Sequence, residues 1–387
     1  MYTLTLKKGE EKRIMHHPWV FANEVSKIEG KDSQGSVAKV VSFDGRFVGY
    51  GFINHLSKII VRIISRDETP IDEEFFFNRI KKANDFRVSL GLENSYRVVF
   101  SESDEMPGLI VDKYDDHLCV QLLTLGMDIR KDIIVKALIK IFNPTCIYER
   151  SDVSIREKEG LSLTKGVLYG TLNPNLAIEE NGVKMQIDLV NGQKTGYFLD
   201  QRTARYALRQ YCNNKDVLDC FCNQGGFSLN ASIGKAKSIT AIDISTLALE
   251  CVENNARINN FDNIVTVAGD VFEKLREYKR EGKKFDVIIL DPPAFTKTVD
   301  TVKGGYKGYL DINTLALKLL NEGGILLTCS CSQHMTIPLF TKMLQEASMH
   351  SNVKAKLLDM HIQSPDHASM ITSEEALYLK TAILKRF

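Results

Sequence analysis

The sequence lacks the features that mark membrane and secreted proteins. No apolar run approaches the roughly 20 residues that a helix needs to cross a bilayer. The opening segment, MYTLTLKKGEEKR, has no apolar core of the kind found in a secretory signal. We therefore expect a cytoplasmic protein that does not associate with membranes.

Zinc-like cysteine spacing and a strong net charge are also absent. None of the eight cysteines belongs to a C-x-x-C pair, which predicts reduced thiols and no metal site. The formal net charge of +1 lacks the basic excess that marks many nucleic-acid-binding proteins. Composition alone thus neither supports nor excludes an RNA partner, and any basic surface must be local.

The 387 residues are too many for one ordinary core, and their pattern changes twice along the chain. Residues 1–70 contain short β-like runs between turn signals, which predicts a small β-rich domain. Residues 71–185 mix helical and strand patterns, which predicts a central α+β domain. Residues 186–387 alternate apolar strands with helices, which is typical of a doubly wound, Rossmann-like α/β sheet. The strands predicted in this last region are residues 216–220, 238–243, 263–267, 285–291 and 324–331.

Acidic residues lie at the ends of four of these strands. In a doubly wound sheet, ligands bind at the carboxyl ends of the strands. The first strand leads into paired glycines that let the backbone pass close under a ligand. An acidic residue at the end of the second strand is well placed to accept hydrogen bonds from two ribose hydroxyls. The candidate cofactor-binding residues at these strand ends are Asp219, Phe221, Asn223, Gln224, Gly225, Asp243, Ser245, Asp270 and Asp291.

The loop after the first strand distinguishes two cofactor classes. A dinucleotide-binding loop needs G-x-G-x-x-G to bring a pyrophosphate onto a helix amino terminus. Here only Gly225-Gly226 is present, and Phe221 and Asn223 stand where the earlier glycines would fall. S-adenosylmethionine (SAM) has no phosphate, so a looser loop suffices. The acidic strand ends therefore favour SAM as the cofactor.

Several strings resemble one known family. GQKTGYFLDQR, LDCFCNQGGFSL, AIDIS, LDPPAF and the CSC strand are similar to the bacterial large-subunit rRNA methyltransferases that carry a PUA domain. HPWVF near the amino terminus and FSESDEMPGL in the central region extend the resemblance over the whole chain. The order and spacing of these strings carry the assignment.

The resemblance implies a PUA-like RNA-binding domain at residues 1–70 and a SAM-dependent methyltransferase domain at 186–387. It implies that C5 of a cytosine in 23S rRNA is methylated, and it allows a homodimer. By itself, the segment 191–202 predicts a polar hairpin before a helix. In the family this hairpin covers the SAM site. The further cofactor residues that this implies are Gln193, Lys194, Thr195, Phe198, Asp200 and Arg202.

Two cysteines near the end of the last predicted strand are candidates for covalent catalysis. Cytosine C5 is too weakly nucleophilic to take a methyl group unaided, but addition of a thiolate to C6 activates it. In RNA cytosine-C5 methyltransferases the nucleophile follows a Gly-Gly strand start by about seven residues, and counting from Gly324 gives Cys331. Only Cys331 lies at the ligand-binding end of the strand. We predict that Cys331 is the nucleophile and that Cys329 is a buried core residue.

The Asp-Pro-Pro-Ala run predicts how the base is held. Asp291 suits the Watson–Crick edge of a flipped cytosine. Many related enzymes carry a second cysteine where Ala294 stands, so the base that removes the C5 proton is not identified. Asp-Pro-Pro before an aromatic also occurs in enzymes that methylate exocyclic amines, although Phe295 is displaced by one position here. Methylation of guanine N2 in rRNA is therefore the alternative reaction. An inactive RNA-binding assembly factor and a small-molecule methyltransferase fit the acidic series and the extra domains less well.

Two segments are candidates for RNA contact. In the amino-terminal region, basic and aromatic side chains are able to stack on or pair with RNA. The segment 295–307 combines glycines with lysines, which predicts a mobile loop that closes over the RNA. The candidate RNA-binding residues are Arg13, His17, Trp19, Arg46, Lys297, Lys303 and Lys307.

Overall fold

A computed structural model describes residues 1–296, 298–373 and 376–387. The chain forms two compact units, each of which is discontinuous in sequence. The first unit consists of Met1–Ile178, Ile187–Leu199 and Pro365–Ala376. The second unit consists of Glu179–Gln186, Asp200–Ser364 and Leu377–Phe387. Within the described residues, no helix is both long and apolar enough to cross a membrane.

The first unit begins with a six-stranded sheet in the order β2-β6-β5-β4-β1-β3. Strand β1 runs parallel to β4, and the other neighbours are antiparallel. Its inward-facing residues, among them Leu4, Val20 and Val61, are fully buried in one cluster. The predicted β-rich region is thus confirmed. Its elements are β1 (Tyr2–Leu6), α1 (Glu11–Ile14), β2 (Trp19–Phe21), β3 (Val25–Glu29), β4 (Val37–Val41), β5 (Phe47–Ile53) and β6 (Ile59–Ser65).

The first unit also contains a five-stranded sheet in the order β11-β10-β9-β8-β7, with helices packed on it. The Asp72 side chain accepts a hydrogen bond from Phe75 N at 3.0 Å and so caps the longest of these helices. Phe76 and Ile80 on its inner face share a core with Phe52 of the first sheet. The elements are α2 (Glu73–Ser89), β7 (Ser95–Phe100), β8 (Leu109–Tyr114), β9 (His117–Leu122), α3 (Leu125–Asp128), α4 (Lys131–Phe142), β10 (Cys146–Ser151) and β11 (Thr164–Gly170).

The second unit contains a seven-stranded sheet in the order β16-β15-β14-β17-β18-β20-β19. The first five strands of this order are parallel, and β20 runs antiparallel to both of its neighbours. This is the predicted doubly wound α/β sheet. Its strands are β14 (Asp216–Cys220), β15 (Ser238–Asp243), β16 (Ile264–Ala268), β17 (Phe285–Leu290), β18 (Leu320–Ser330), β19 (Ala355–Ile362) and β20 (Lys380–Arg386), and a separate hairpin is formed by β12 (Ala177–Glu180) and β13 (Val183–Gln186).

Helices connect the strands of this sheet. The central strands are apolar on both faces, as helices on both sides of a parallel sheet require. The carboxyl ends of β14, β15 and β17 therefore form one edge where ligands are expected. The helices are α5 (Arg202–Leu208), α6 (Gly226–Ile233), α7 (Thr246–Ile258), α8 (Val271–Arg280), α9 (Val302–Leu319) and α10 (Ile337–Ser351).

The hairpin predicted at residues 191–202 is wrong. Residues 187–198 form a series of turns and bends without strand pairing. The Arg150 guanidinium donates to the carbonyl oxygens of Leu189 at 3.0 Å and Gly192 at 2.8 Å. Asp188 Oδ1 accepts from the backbone N–H of Val190 at 2.8 Å. These side-chain contacts satisfy backbone groups that a hairpin ladder would otherwise pair.

Candidate cofactor and catalytic site

Two acidic residues meet at the carboxyl edge of the sheet in the second unit. Cys220 of β14 pairs with Ile242 of β15 on one side and with Leu290 of β17 on the other. Asp243 directly follows Ile242, and Asp291 directly follows Leu290. The register thus brings both to the same edge, as their positions in the sequence predicted.

The loop after β14 adopts an alternating left-handed backbone. Phe221, Asn223 and Gly225 have φ angles of +62°, +48° and +83°. This region is unfavourable for a bulky residue such as Phe221, and such strain is concentrated at functional sites. Asn223 N donates to Asp243 Oδ2 at 3.0 Å and helps to hold the conformation. Phe221 and Asn223 thus stand where a glycine-rich loop would have its first two glycines, and both adopt the left-handed conformation that glycine favours.

Asp219 lies fully buried beneath this loop. Its Oδ2 accepts from Ser228 Oγ at 2.6 Å, while Oδ1 is buried without a hydrogen-bond partner among the described residues. Burial raises the pKa of Asp219 to about 7, with further contributions from the negative charges of Asp291 and Asp243. An unsatisfied buried oxygen beside two further carboxylates suits a ligand with hydroxyl, amino or sulfonium groups, as SAM has.

We expect the raised pKa of Asp219 to make its contribution to stability depend on pH. The folded state holds the proton up to about pH 7, whereas the unfolded chain loses it near pH 3.8. Stability from this group is therefore complete below about pH 4 and is lost as pH rises through 7, by at most about 4 kcal/mol. In Asp219→Asn a neutral amide oxygen still accepts from Ser228, and no group titrates at this position. The free energy of unfolding of this variant, relative to that of the wild type, should therefore be higher at pH 7 than at pH 4.5. Urea denaturation of both proteins at both pH values measures this. An equal difference in the free energy of unfolding between variant and wild type at pH 4.5 and pH 7 would contradict the prediction.

Two further strand-end residues, Ser245 and Asp270, cap helices. Ser245 Oγ accepts from Ala248 N at 3.2 Å at the start of α7, and Ser245 N donates to Asp243 Oδ1 at 2.9 Å. Asp270 is exposed, and its Oδ1 accepts from Glu273 N at 3.1 Å at the start of α8. N-caps satisfy free backbone donors of a helix. Each of these residues thus has a structural role in addition to the cofactor contact that the sequence predicts.

Cys331 directly follows β18, at the same edge of the sheet. It is half-buried, and its Sγ donates to the carbonyl oxygen of Pro292 at 3.8 Å. Asp291 precedes that proline, and its Oδ1 accepts from Gln201 Nε2 at 2.8 Å. The two predicted catalytic residues are thus brought together by neighbouring strands. The family resemblance implies that Gln201 and Arg202, the last two residues of the GQKTGYFLDQR string, reach the methionine end of SAM. The hydrogen bond from Gln201 to Asp291 was not predicted.

Cys329 has different surroundings. It is fully buried, and its Sγ lies 3.3 Å from Thr381 Oγ1. Burial raises the pKa of the Cys329 thiol well above its usual value, and the negative charge of Asp291 acts in the same direction. Buried cysteines of this kind are inert. This environment is the one expected of a core residue.

Phe295 lies in an aromatic cluster behind this edge. Its ring centroid is 4.7 Å from that of Tyr309, 5.8 Å from that of Phe272 and 6.4 Å from that of Phe221. Tyr309 OH and Ser332 Oγ form a hydrogen bond of 2.9 Å. These contacts pack the partly buried Phe295 ring against the core of the second unit.

Asp200 and Arg202 are both bound by neighbours in the second unit. Asp200 is buried, and its Oδ2 accepts from Tyr378 OH at 2.5 Å. Arg202 Nε lies 3.3 Å from Glu180 Oε2, and Arg205 binds the same carboxylate at 2.7 Å. Their predicted contact with the cofactor stays a prediction.

Four predicted cofactor residues belong to the first unit. Gln193 and Lys194 are exposed, and Lys194 Nζ lies 4.5 Å from the centroid of the Phe198 ring. Thr195 is buried, and its Oγ1 donates to Asp112 Oδ2 at 2.6 Å. Their part in cofactor binding also stays a prediction.

The predicted RNA-binding residues of the first sheet differ in exposure. Arg13 Nε donates to Glu24 Oε1 at 3.0 Å. Trp19 is half-buried, its Nε1 donates to Glu102 at 2.8 Å, and its ring meets the His17 ring edge-on at 5.0 Å. The Arg46 side chain is 72% exposed and lies 2.9 Å from Asp44. Arg46 is therefore the most accessible of these residues for a phosphate or a base.

The mobile loop predicted at 295–307 is wrong in its second half. Helix α9 begins at Val302, so Lys303 and Lys307 lie on its first turns. Lys297 lies outside the described residues. The glycines allow close packing: a Cβ at Gly305 would lie 3.0 Å from the carbonyl oxygen of Phe295, and one at Gly308 would lie 3.1 Å from the Phe295 ring. Glycine serves here to bring a helix close to its neighbour, which the local sequence does not reveal.

Comparison with known proteins identifies the class. Residues 4–66 match the PUA-like domain family, and residues 166–366 match the family described as S-adenosylmethionine-dependent methyltransferase. The fold and the acidic strand ends are those of a SAM-dependent methyltransferase, here combined with a PUA-like domain. A solved structure from Streptococcus mutans, described as a SAM-dependent methyltransferase, covers 100% of both chains with a TM-score of 0.84 and 24% identity. That likeness concerns the fold.

Two curated relatives narrow the assignment. Both are called ribosomal RNA large subunit methyltransferase I, one from Vibrio cholerae and one from Escherichia coli. They are 42% and 40% identical to this chain over 385 residues, and the alignments cover 97% of this chain and 97% of each relative. The chain belongs to the family of ribosomal RNA large subunit methyltransferase I.

Proposed function

We propose that the chain methylates ribosomal RNA of the large subunit, at C5 of a cytosine in 23S rRNA. The names of the two relatives support the ribosomal RNA substrate. One observation carries the cytosine assignment: Cys331 Sγ lies 3.8 Å from the carbonyl oxygen of Pro292, next to Asp291. A half-buried thiol and a carboxylate thus occupy the carboxyl ends of two neighbouring parallel strands.

The proposed reaction uses Cys331 as the nucleophile. Its thiolate forms an Sγ–C6 bond with the cytosine, and C5 becomes an enamine-like nucleophile. SAM, when bound, supplies the electrophilic methyl group. After C5 has been methylated, loss of the C5 proton and cleavage of the Sγ–C6 bond restore the aromatic ring and the thiolate. The carboxyl groups of Asp219 and Asp243 are suited to hold the cofactor.

Asp291 is proposed to hold the base. The hydrogen bond from Gln201 to Oδ1 fixes the orientation of the carboxyl group. A carboxyl group in this place is able to contact N3 and the amino group of a cytosine flipped out of its stack. Gln201 thereby acts as a positioning residue for Asp291.

The alternative of guanine N2 methylation is less well supported. In that reaction the aromatic residue after Asp-Pro-Pro stacks on the flipped base. Here the ring of Phe295 packs against Tyr309 and Phe272. An inactive assembly factor is also disfavoured, because the carboxylates and the thiol are both in place at the sheet edge.

RNA that carries 5-fluorocytosine at the target site tests the proposal. Fluorine at C5 does not leave as a proton does, so the Sγ–C6 bond persists. We expect an RNA–protein adduct that survives denaturing electrophoresis and is mapped to the Cys331 peptide by mass spectrometry. Cys329→Ala should trap RNA as the wild type does, and Cys331→Ala should not. Methylation of normal rRNA without any adduct would instead support amine methylation.

Two further expectations accompany this proposal. A ribosomal RNA substrate is consistent with the cytoplasmic location expected from the sequence. The family resemblance supports a homodimer, which sedimentation equilibrium of the full chain would test.

A further inference from the structure

Lys380 is a buried cation next to the proposed nucleophile. It is the first residue of β20, where it pairs with Ser330 at the end of β18. Only 1% of its surface is exposed. A lysine is rarely buried to this extent unless its charge has a partner.

The ammonium group of Lys380 is held by backbone oxygens. Nζ donates to the carbonyl oxygens of Ser332 and Tyr378, both at 2.7 Å. Ser332 is the residue after Cys331. An ammonium has three donors, and the third has no acceptor among the described residues. No carboxylate of the described chain lies within 4 Å of Nζ, so the charge lacks an acidic partner there.

The titration of Lys380 is consistent with these contacts. Burial lowers the pKa of Lys380 to about 8, and the negative charge of Cys331 opposes this shift. The groups around Cys331 on the neighbouring elements are acidic: Asp291 after β17, Tyr309 on α9 and Cys329 on β18. Each of these groups, when ionised, is negative and therefore disfavours the thiolate form of Cys331. The Lys380 ammonium is positive and therefore favours it.

We propose that the Lys380 ammonium holds Cys331 in its thiolate form, as a positioning residue for the nucleophile. This role in catalysis rests on the proposed function, in which Cys331 is the nucleophile. The thiol proton leaves to solvent, and at pH values below about 8 Lys380 keeps its own proton. The Sγ–C6 bond then forms from the thiolate, and when that bond breaks the electron pair returns to Sγ, beside the same cation. A neighbouring cation increases the thiolate fraction of a cysteine, which is the nucleophilic form.

The alkylation of Cys331 by iodoacetamide tests the pair without RNA or SAM. The full-length chain is alkylated between pH 6 and 10, and the Cys331 peptide is quantified by mass spectrometry. In the wild type we expect a midpoint below the value of about 8.5 that is usual for a free cysteine. Lys380→Met should move the midpoint up by about one to two pH units, because the stabilising charge is lost. Lys380→Arg keeps the charge and should keep the low midpoint.

The outcomes of this experiment distinguish a role of Lys380 from its absence. A wild-type midpoint above about 9 would overturn it without any variant, so the test survives if Lys380→Met fails to fold. Equal midpoints in wild type and folded Lys380→Met would also overturn it. A low midpoint that depends on Lys380, without a 5-fluorocytosine adduct, would support the ion pair and contradict the proposed function. A 5-fluorocytosine adduct together with a midpoint that does not change in the Lys380 variants would support the proposed function and contradict the role of Lys380.

Discussion

Cys331→Ala is expected to lower the rate of methyl transfer to rRNA by about 10³-fold or more, because the Cys331 thiolate is the group proposed to activate C5. The affinity for SAM should stay within about twofold of the wild type, since the substitution removes one half-buried sulfur whose hydrogen bond to Pro292 is long. Single-turnover methylation of rRNA and calorimetric titration with SAM measure the two effects.

Cys329→Ala is the matched control for this prediction. It removes the same atom two residues earlier on the chain, from a fully buried position against Thr381. We expect a loss of stability of about 1 kcal/mol from the small cavity, and methylation within about tenfold of the wild type. Full activity in the Cys331 variant, or loss of activity in the Cys329 variant alone, would contradict the assignment.

Asp243→Ala is expected to weaken SAM binding by about ten- to hundredfold. The carboxylate accepts from Asn223 N at 3.0 Å and from Ser245 N at 2.9 Å, so its loss releases the loop after β14. The ribose hydroxyls that it is predicted to bind would also lose a charged acceptor. Together these effects correspond to roughly 1.5–3 kcal/mol. Isothermal titration calorimetry with SAM provides the measurement.

Two variants sharpen this test. Asp243→Asn keeps one oxygen acceptor without the charge, and we expect an intermediate affinity. Asp216→Ala changes an aspartate at the opposite end of β14, where it accepts from Ser238 Oγ at 2.7 Å. Its SAM affinity should equal that of the wild type. An equal loss of affinity in Asp216→Ala would mean that general destabilisation, rather than a site contact, explains the effect.

Local patterns in the sequence were sufficient for much of the architecture. Phe76 and Ile80 stand about one helical turn apart in the sequence, a spacing that predicts one buried helix face, and both are fully buried in α2. The apolar strands predicted β14, β15 and β17 to within a residue or two. Because the carboxyl ends of parallel strands share an edge, the sequence also predicted that Asp243 and Asp291 would meet there.

The sequence alone did not reveal the parts of the site that depend on packing. Phe221 and Asn223 adopt the left-handed conformation that sequence rules assign to glycine, and Asp243 helps to hold it across 20 residues. The glycines before Tyr309 indicated a loop, but they allow α9 to pack against Phe295.

Two contacts between residues distant in sequence completed the candidate site. Gln201 reaches Asp291 across 90 positions, and Lys380 reaches the backbone beside Cys331 across 48. Periodicity and local motifs describe neighbours along the chain. The partner of a buried polar or charged group, by contrast, is determined by which strands lie side by side, and that was decided by the tertiary structure.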